Sequence, residues 1–316
     1  MSLIWHLRNH LESPVGEFLY QRLSHTKRIT LQINKKLKRG DKLLPSTPYC
    51  PYGTLDRAIN YRIRYSFALT PTQNLLAWRG AFERLVWNSE IDYGGYVGGP
   101  YSPDVLESFF GELDATLDAL QPVGRPLDVE AEEILARYCF VLALFEEVFC
   151  NKSYQYSPLI TPKPKKSVDE LLAIAQEEWI DDLCDLFALF YERYAHMLSL
   201  PHILNPSFLG CDDIGAAGAD LIVDGCLIGI KASGERCVKP VWLRHLAGCV
   251  LLDYEDQHHI HSLGIYMARQ GKLVSWPLDE FLSLLTGEAN LDISSLRQEF
   301  RECCLLESPP WLDELL

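Results

Sequence analysis

The stretch Gly218-Ala219-Asp220-Leu221-Ile222-Val223-Asp224-Gly225-Cys226-Leu227-Ile228-Gly229-Ile230-Lys231 decides how this chain is read. Asp224-Gly225 is a strong signal for a two-residue hairpin turn, because both residues tolerate positive φ. A turn there fixes the register: Val223 faces Cys226, Asp220 faces Gly229 and Gly218 faces Lys231. Opposed residues of an antiparallel pair share one side of the sheet. One side therefore carries Ala219, Leu221, Val223, Cys226, Ile228 and Ile230 and is expected to be core. The other groups Gly218, Asp220, Gly229 and Lys231 at the end away from the turn, and this is the candidate site.

Upstream, Asn205-Pro206-Ser207-Phe208-Leu209-Gly210 is expected to be the first strand, with Asp213 to Asp220 leading into the second. Downstream, Pro240 opens a helix to about Tyr254 that carries His245 and Cys249. Ser262 to Arg269 and Lys272 to Trp276 predict two strands joined by a tight turn at Gln270-Gly271. Asp256-Gln257-His258-His259-Ile260-His261 is read as a loop, since three histidines without a placed fourth ligand are a weak metal signal.

The arrangement resembles the PD-(D/E)XK nuclease superfamily, whose core strands carry Asp and then Asp/Glu-X-Lys. It is most similar to RecB-like bacterial members of the form "GADADLIVDG-LIDIKT". The resemblance implies an α/β (α+β) fold with a restriction-endonuclease-like core, a central mixed sheet flanked by helices. It also implies phosphodiester hydrolysis with Mg²⁺ held by carboxylates, and a lysine stabilising the transition state. This chain departs from the pattern at two acids: Gly218 replaces the first Asp, and Gly229 stands where the (D/E)XK acid belongs. Asp220 and Lys231 remain. RecB-like members carry Gln-xxx-Tyr on the following helix, where this chain has His245 and Cys249. Asp220 opposite glycine leaves one carboxylate, a poor site for a cation that dehydrates reluctantly.

Three functions follow from these residues. One is a catalytically degenerate nuclease-fold protein that binds nucleic acid, DNA rather than RNA, or a nucleoprotein complex. The resemblance places such proteins in bacterial defence against phage or mobile DNA. Another is a metal-dependent nuclease with substitute ligands, or one inactivated by introduction of Gly218 and Gly229. The third is a protein-interaction subunit with no nucleic-acid role; a protein partner and a homo-oligomer stay open.

A net charge of −14 over 316 residues argues against indiscriminate nucleic-acid binding. The charge is uneven, however. From Phe18 to Gly40 there is no acid, while Arg22, Lys27, Arg28, Lys35, Lys36, Lys38 and Arg39 fall inside. This segment is either a solvated face or a phosphate-contacting arm. Residues 1–160 are expected to be a mainly helical region containing this 18–40 segment. Residues 161–167 read as a linker, and 168–316 as the nuclease-like core with a helical tail.

Within the N-terminal region, Ser13-Pro14 is a good helix start, with Phe18, Leu19 and Leu23 as an apolar stripe. Thr54 is expected to cap a helix through Ile59, Ile63 and Phe67, with Arg57, Arg62 and Arg64 on its polar face. Glu132-Glu133 and Glu146-Glu147 read as solvated faces of amphipathic helices, and the glycine-rich 93–100 as a surface loop. Ser167 is expected to cap one long helix over 168–199, the first core helix. The ten cysteines form no CxxC pair, so neither a zinc ribbon nor a thioredoxin motif is indicated. Cys139, Cys150, Cys184, Cys226 and Cys249 are expected to be buried thiols. No membrane-spanning run and no signal sequence are present, so a cytoplasmic protein without a membrane role is expected.

Overall fold

The structure is a computed structural model, and it describes residues 2–38, 42–44, 51–86, 92–93, 96–97, 101–150, 157–160, 165–214, 218–235 and 237–307. It is a mixed α/β fold in two compact units. One comprises 1–42, 200–231 and 235–316; the other comprises 43–199 with 232–234. This partition differs from a division at residues 161–167. The reason lies in the region 168–199, whose apolar residues pack with helices of the preceding sequence rather than with the sheet.

The sheet unit begins with α1 (Leu3–Asn9), α2 (Pro14–Gln21) and α3 (Thr26–Leu37). Ser13 caps α2 as its composition predicts, its Oγ accepting from Gly16 N–H at 3.0 Å, with Pro14 at the first helical position. The five-stranded sheet has the order β3 (His202–Leu204), β4 (Leu221–Val223), β5 (Cys226–Lys231), β6 (Ser262–Met267) and β7 (Lys272–Pro277). All neighbours are antiparallel except β5 and β6, which are parallel and joined through α11 (Pro240–Leu251). The short α10 (Cys211–Ile214) precedes β4, and α12 (Leu278–Thr286) and α13 (Ile293–Leu305) follow the sheet.

The hairpin register is the expected one: Val223 pairs with Cys226, and Asp224 and Gly225 take φ of 47° and 66°. Both positive values are what a type I′ turn requires. The first strand lies earlier than expected. His202–Leu204 pairs with β4, whereas Asn205 turns left-handed at φ 50° and Pro206 has no N–H to give a ladder.

Of the residues expected to be core, Ala219, Leu221, Val223, Ile228 and Ile230 are buried and Cys226 is partly exposed, and Ile222 and Leu227 on the opposite side are buried as well. The unit's core lies on the Asp220/Lys231 side. There Ile222, Leu227, Leu263, Ile265, Met267, Val274 and Trp276 join apolar residues of α1–α3 and α11–α13. From α3, Ile29, Ile33 and Leu37 enter this core at no more than 1% exposure. Each contributes roughly 1.5–3 kcal/mol by burial, enough to seat a helix whose other face is basic.

The helical unit contains α4 (Tyr52–Phe67), α5 (Leu76–Gly80), α6 (Pro103–Leu120), α7 (Val129–Cys150), α8 (Val168–Leu172) and α9 (Glu177–Tyr194). A two-residue strand pair, β1 (Asp92–Tyr93) and β2 (Tyr96–Val97), lies in the glycine-rich segment read as a loop. Ser167 does cap a helix, but the expected single helix is broken into α8, α9 and a 3₁₀ turn over 195–199. α4 begins at Tyr52, so Thr54 is not its cap; its hydroxyl donates to Glu147 Oε1 at 3.0 Å.

Two further expectations fail in this unit. Arg62 is fully buried, not on a polar face, and donates to both Glu132 oxygens at 2.5 and 2.8 Å. Its guanidinium carbon also lies 3.5 Å from the centre of the Phe187 ring. Arg64 is buried as well, over the Tyr61 ring. Glu132 is buried with Arg62, and Glu146 and Glu147 pair with Arg57 at 3.4 and 3.2 Å, so these acids are not solvated faces. α4 is buried nearly all round, and its Asn60, Arg62 and Arg64 are buried along with its apolar residues. Among the five cysteines expected to be buried, Cys139 and Cys249 are; Cys184 and Cys226 are partly exposed and Cys150 is exposed.

Candidate functional site

The hairpin and α11 build the site. Asp220 directly precedes β4, and its Oδ2 accepts the Ile230 N–H at 2.6 Å. The carboxylate thereby replaces a ladder carbonyl at the point where β4 has not yet begun. A Cβ added at Gly229 would lie 3.9 Å from the same Oδ2 and 3.3 Å from Leu246 Cδ2. The two predicted metal-clamp positions are thus neighbours, and only one of them carries an acid. Gly218 is exposed, and a Cβ there would meet nothing within 4 Å.

Helix α11 covers this corner with His245, Leu246 and Cys249, one turn apart on one face. Cys249 is buried, with its Sγ 3.8 Å from the Gly218 carbonyl oxygen. Burial first, then the neighbouring Cys211 and Asp220, raise its pKa and keep it a thiol, against the opposing pull of Lys231. Burial first, then the charges of Lys231 and Arg8, hold His245 far below the usual histidine value, at about 3. His245 is therefore neutral at pH 7. Lys231 has no ion-pair partner among the described residues.

The structure thus brings together Gly218, Asp220, Gly229, Lys231 and His245. It adds Arg8, which the sequence reading did not single out. Nothing local marks Arg8: it sits in the last turn of α1, and only the packing of α1 on α11 brings it close. Lys231 and Arg8 bring positive charge to this corner, which suits an anion.

The residues present do not fit a Mg²⁺ clamp. Asp213 Oδ2 accepts from the Tyr254 hydroxyl at 2.9 Å, Asp212 is exposed on α10, and Asp224 is occupied in the turn. None supplies a second carboxylate beside Asp220. The histidine-rich loop does not gather either. His258 Nε2 bonds the Ser207 carbonyl at 2.7 Å, His259 is exposed near Asp256, and His261 lies against Gly225.

The basic segment divides. Lys27, Arg28, Lys35, Lys36 and Lys38 are exposed on or next to α3, and none forms an ion pair with a described residue. Arg22 instead pairs with Glu288 and with Glu299, the latter at 3.0 Å, and its charge is already neutralised. Arg39 lies outside the described residues, as do most of the expected linker and the Pro309–Leu316 tail.

No protein family, no characterised protein and no solved structure compared with the chain matches it. Among the described residues no helix is long and apolar enough to cross a membrane.

Proposed function

We propose that this chain is a PD-(D/E)XK nuclease-fold protein that has lost metal-dependent cleavage and binds nucleic acid, DNA rather than RNA. The observation that carries the reading is the Asp220–Gly229 juxtaposition: one clamp carboxylate in place, and a glycine where the second belongs. Three antiparallel strands, a crossover helix and a parallel strand follow the order expected of that core. Lys231 and Arg8 supply positive charge at the corner, and the exposed face of α3 offers five more cations for phosphates. Loss of carboxylates also removes their repulsion of a phosphate backbone, so retained binding is compatible with lost catalysis.

The test is calorimetric titration with Mg²⁺ and Mn²⁺ and cleavage of single- and double-stranded DNA and RNA, for the unaltered protein and a Gly218→Asp/Gly229→Asp variant. The free space at residue 218 accepts the acid directly, and at 229 Leu246 must give by a few tenths of an ångström. Metal binding and cleavage only in the variant support the reading. Cleavage by the unaltered protein overturns it in favour of an enzyme with substitute ligands. DNA affinity unchanged by reversing Lys35, Lys36 and Lys38 to Glu would favour the protein-interaction subunit, the reading that the net acidity supports.

A further inference from the structure

Away from this corner, α1, the turn after it and the end of α13 bring two imidazoles and a carboxylate together. One ligand atom each from His6, His10 and Glu307 lies within 4.8 Å of the others, and among the described residues no other three His, Cys, Asp or Glu groups gather this closely. His6 lies on α1 and His10 directly after its end, with ring centres 5.8 Å apart. Gly16 makes the site geometrically accessible, since a Cβ there would collide with the His10 carbonyl oxygen. The end of α1 can therefore lie directly against the start of α2.

Two features of the cluster are unexplained by protein contacts alone. His10 Nδ1 is buried and has no hydrogen-bond partner, although a buried ring nitrogen without one is costly. Trp5 flanks this ring at 4.9 Å between centres, which fixes the imidazole without satisfying it. The second feature is the His6–Glu307 pair, with Nδ1 and Oε1 3.7 Å apart. An imidazole facing a carboxylate, next to a second imidazole whose buried nitrogen has no partner, is a donor set that a metal can use.

We infer that His6, His10 and Glu307 form a binding site for a divalent transition ion of the Zn²⁺ class. Two nitrogens and one carboxylate oxygen are a donor set for a borderline ion, whereas hard Mg²⁺ prefers oxygen throughout. Tetrahedral zinc places its ligand atoms about 3.3 Å apart, given bonds near 2.0 Å. The three atoms reach that spacing by side-chain rotation of about an ångström, with solvent in the fourth position. Ser13 Oγ lies 2.9 Å from His6 Nδ1, and Val15 N–H donates to Glu307 Oε1 at 3.1 Å, so both side chains are held in orientation. The bound ion would cross-link the start of the chain to the end of α13.

The experiment uses the full chain, stripped of metal with chelator, and titrates Zn²⁺ by calorimetry and Co²⁺ by visible absorption. The expected result is one equivalent of Zn²⁺, a higher Tm on loading, and a Co²⁺ spectrum without thiolate charge transfer. Both His10→Ala and Glu307→Gln should weaken Zn²⁺ at least tenfold; the latter is nearly isosteric and leaves an oxygen for Val15 N–H. Circular dichroism of both variants guards against misfolding. No uptake by the unaltered protein overturns the site, as does a thiolate spectrum or uptake that survives either substitution.

Discussion

Two regions of this molecule enclose charge, and they do so in opposite ways. In the helical unit the ion pairs are matched and largely buried, Arg62 with Glu132 and Arg57 with Glu146 and Glu147, while buried Arg64 lies over the Tyr61 ring. At the corner of the sheet unit, Lys231 and Arg8 act together on a neutral His245, beside Asp220, whose carboxylate accepts the Ile230 N–H. The difference separates two uses of charge. Balanced, desolvated pairs hold helices in one arrangement, whereas an unbalanced corner holds nothing in the fold together and is suited to an external anion.

The largest effect that could break this contrast lies at Arg62. Replacing it with Met should destabilise the protein by about 3–5 kcal/mol in urea unfolding, because Glu132 is left buried and unpaired. Combining Arg62→Met with Glu132→Leu should recover most of the loss. A small effect of the single substitution would mean that the pair is not desolvated, and the contrast would lapse.

An intermediate effect is expected at His245. Its folded pKa lies below the unfolded value near 6.5, so the unfolded chain binds a proton that the folded protein refuses. Its contribution is therefore fully present above about pH 7 and is lost as pH falls towards 3. Between pH 7 and pH 5 the protein should lose about 1–2 kcal/mol through this group. Unfolding curves of His245→Gln should show a shallower acid slope, though not a flat one, since His6 is shifted in the same direction. Equal slopes would remove the two cations from the account of His245.

The smallest effect on stability belongs to Lys231. Lys231→Met should change unfolding by no more than about 0.5 kcal/mol, since no ion pair is broken. The same substitution should weaken DNA binding measured by fluorescence anisotropy. Stability falling with unchanged binding would turn Lys231 into a structural residue like Arg62.

How much of this was legible in the sequence depends on how far apart the deciding residues lie. Asp224-Gly225 sets the hairpin register locally, so the meeting of Asp220 with Gly229 could be read directly. Pro240 likewise marks the start of α11, and spacing puts His245 and Cys249 on one face. The position of β3 could not be read, because pairing to β4, seventeen or more residues further on, selects His202–Leu204 over the stretch that follows. Arg62 looked like a polar-face residue because its partner Glu132 lies on α7, 70 residues further on, where no local pattern reaches. The His6, His10 and Glu307 cluster combines the two ends of the described chain, and no local pattern could join them.

The sheet unit is discontinuous, and this has a consequence for synthesis on the ribosome. Its first piece ends at Lys42 and its next begins at Leu200, so about 160 residues intervene. At about 5–20 residues per second, α1–α3 emerge roughly 8–32 s before their first strands exist. During that interval Leu3, Leu7, Leu19, Ile29 and Ile33 have no core to enter, while the intervening helical unit is nearly contiguous and can complete itself. The nascent chain therefore presents the basic, apolar α1–α3 segment to holdase chaperones well before the sheet can assemble.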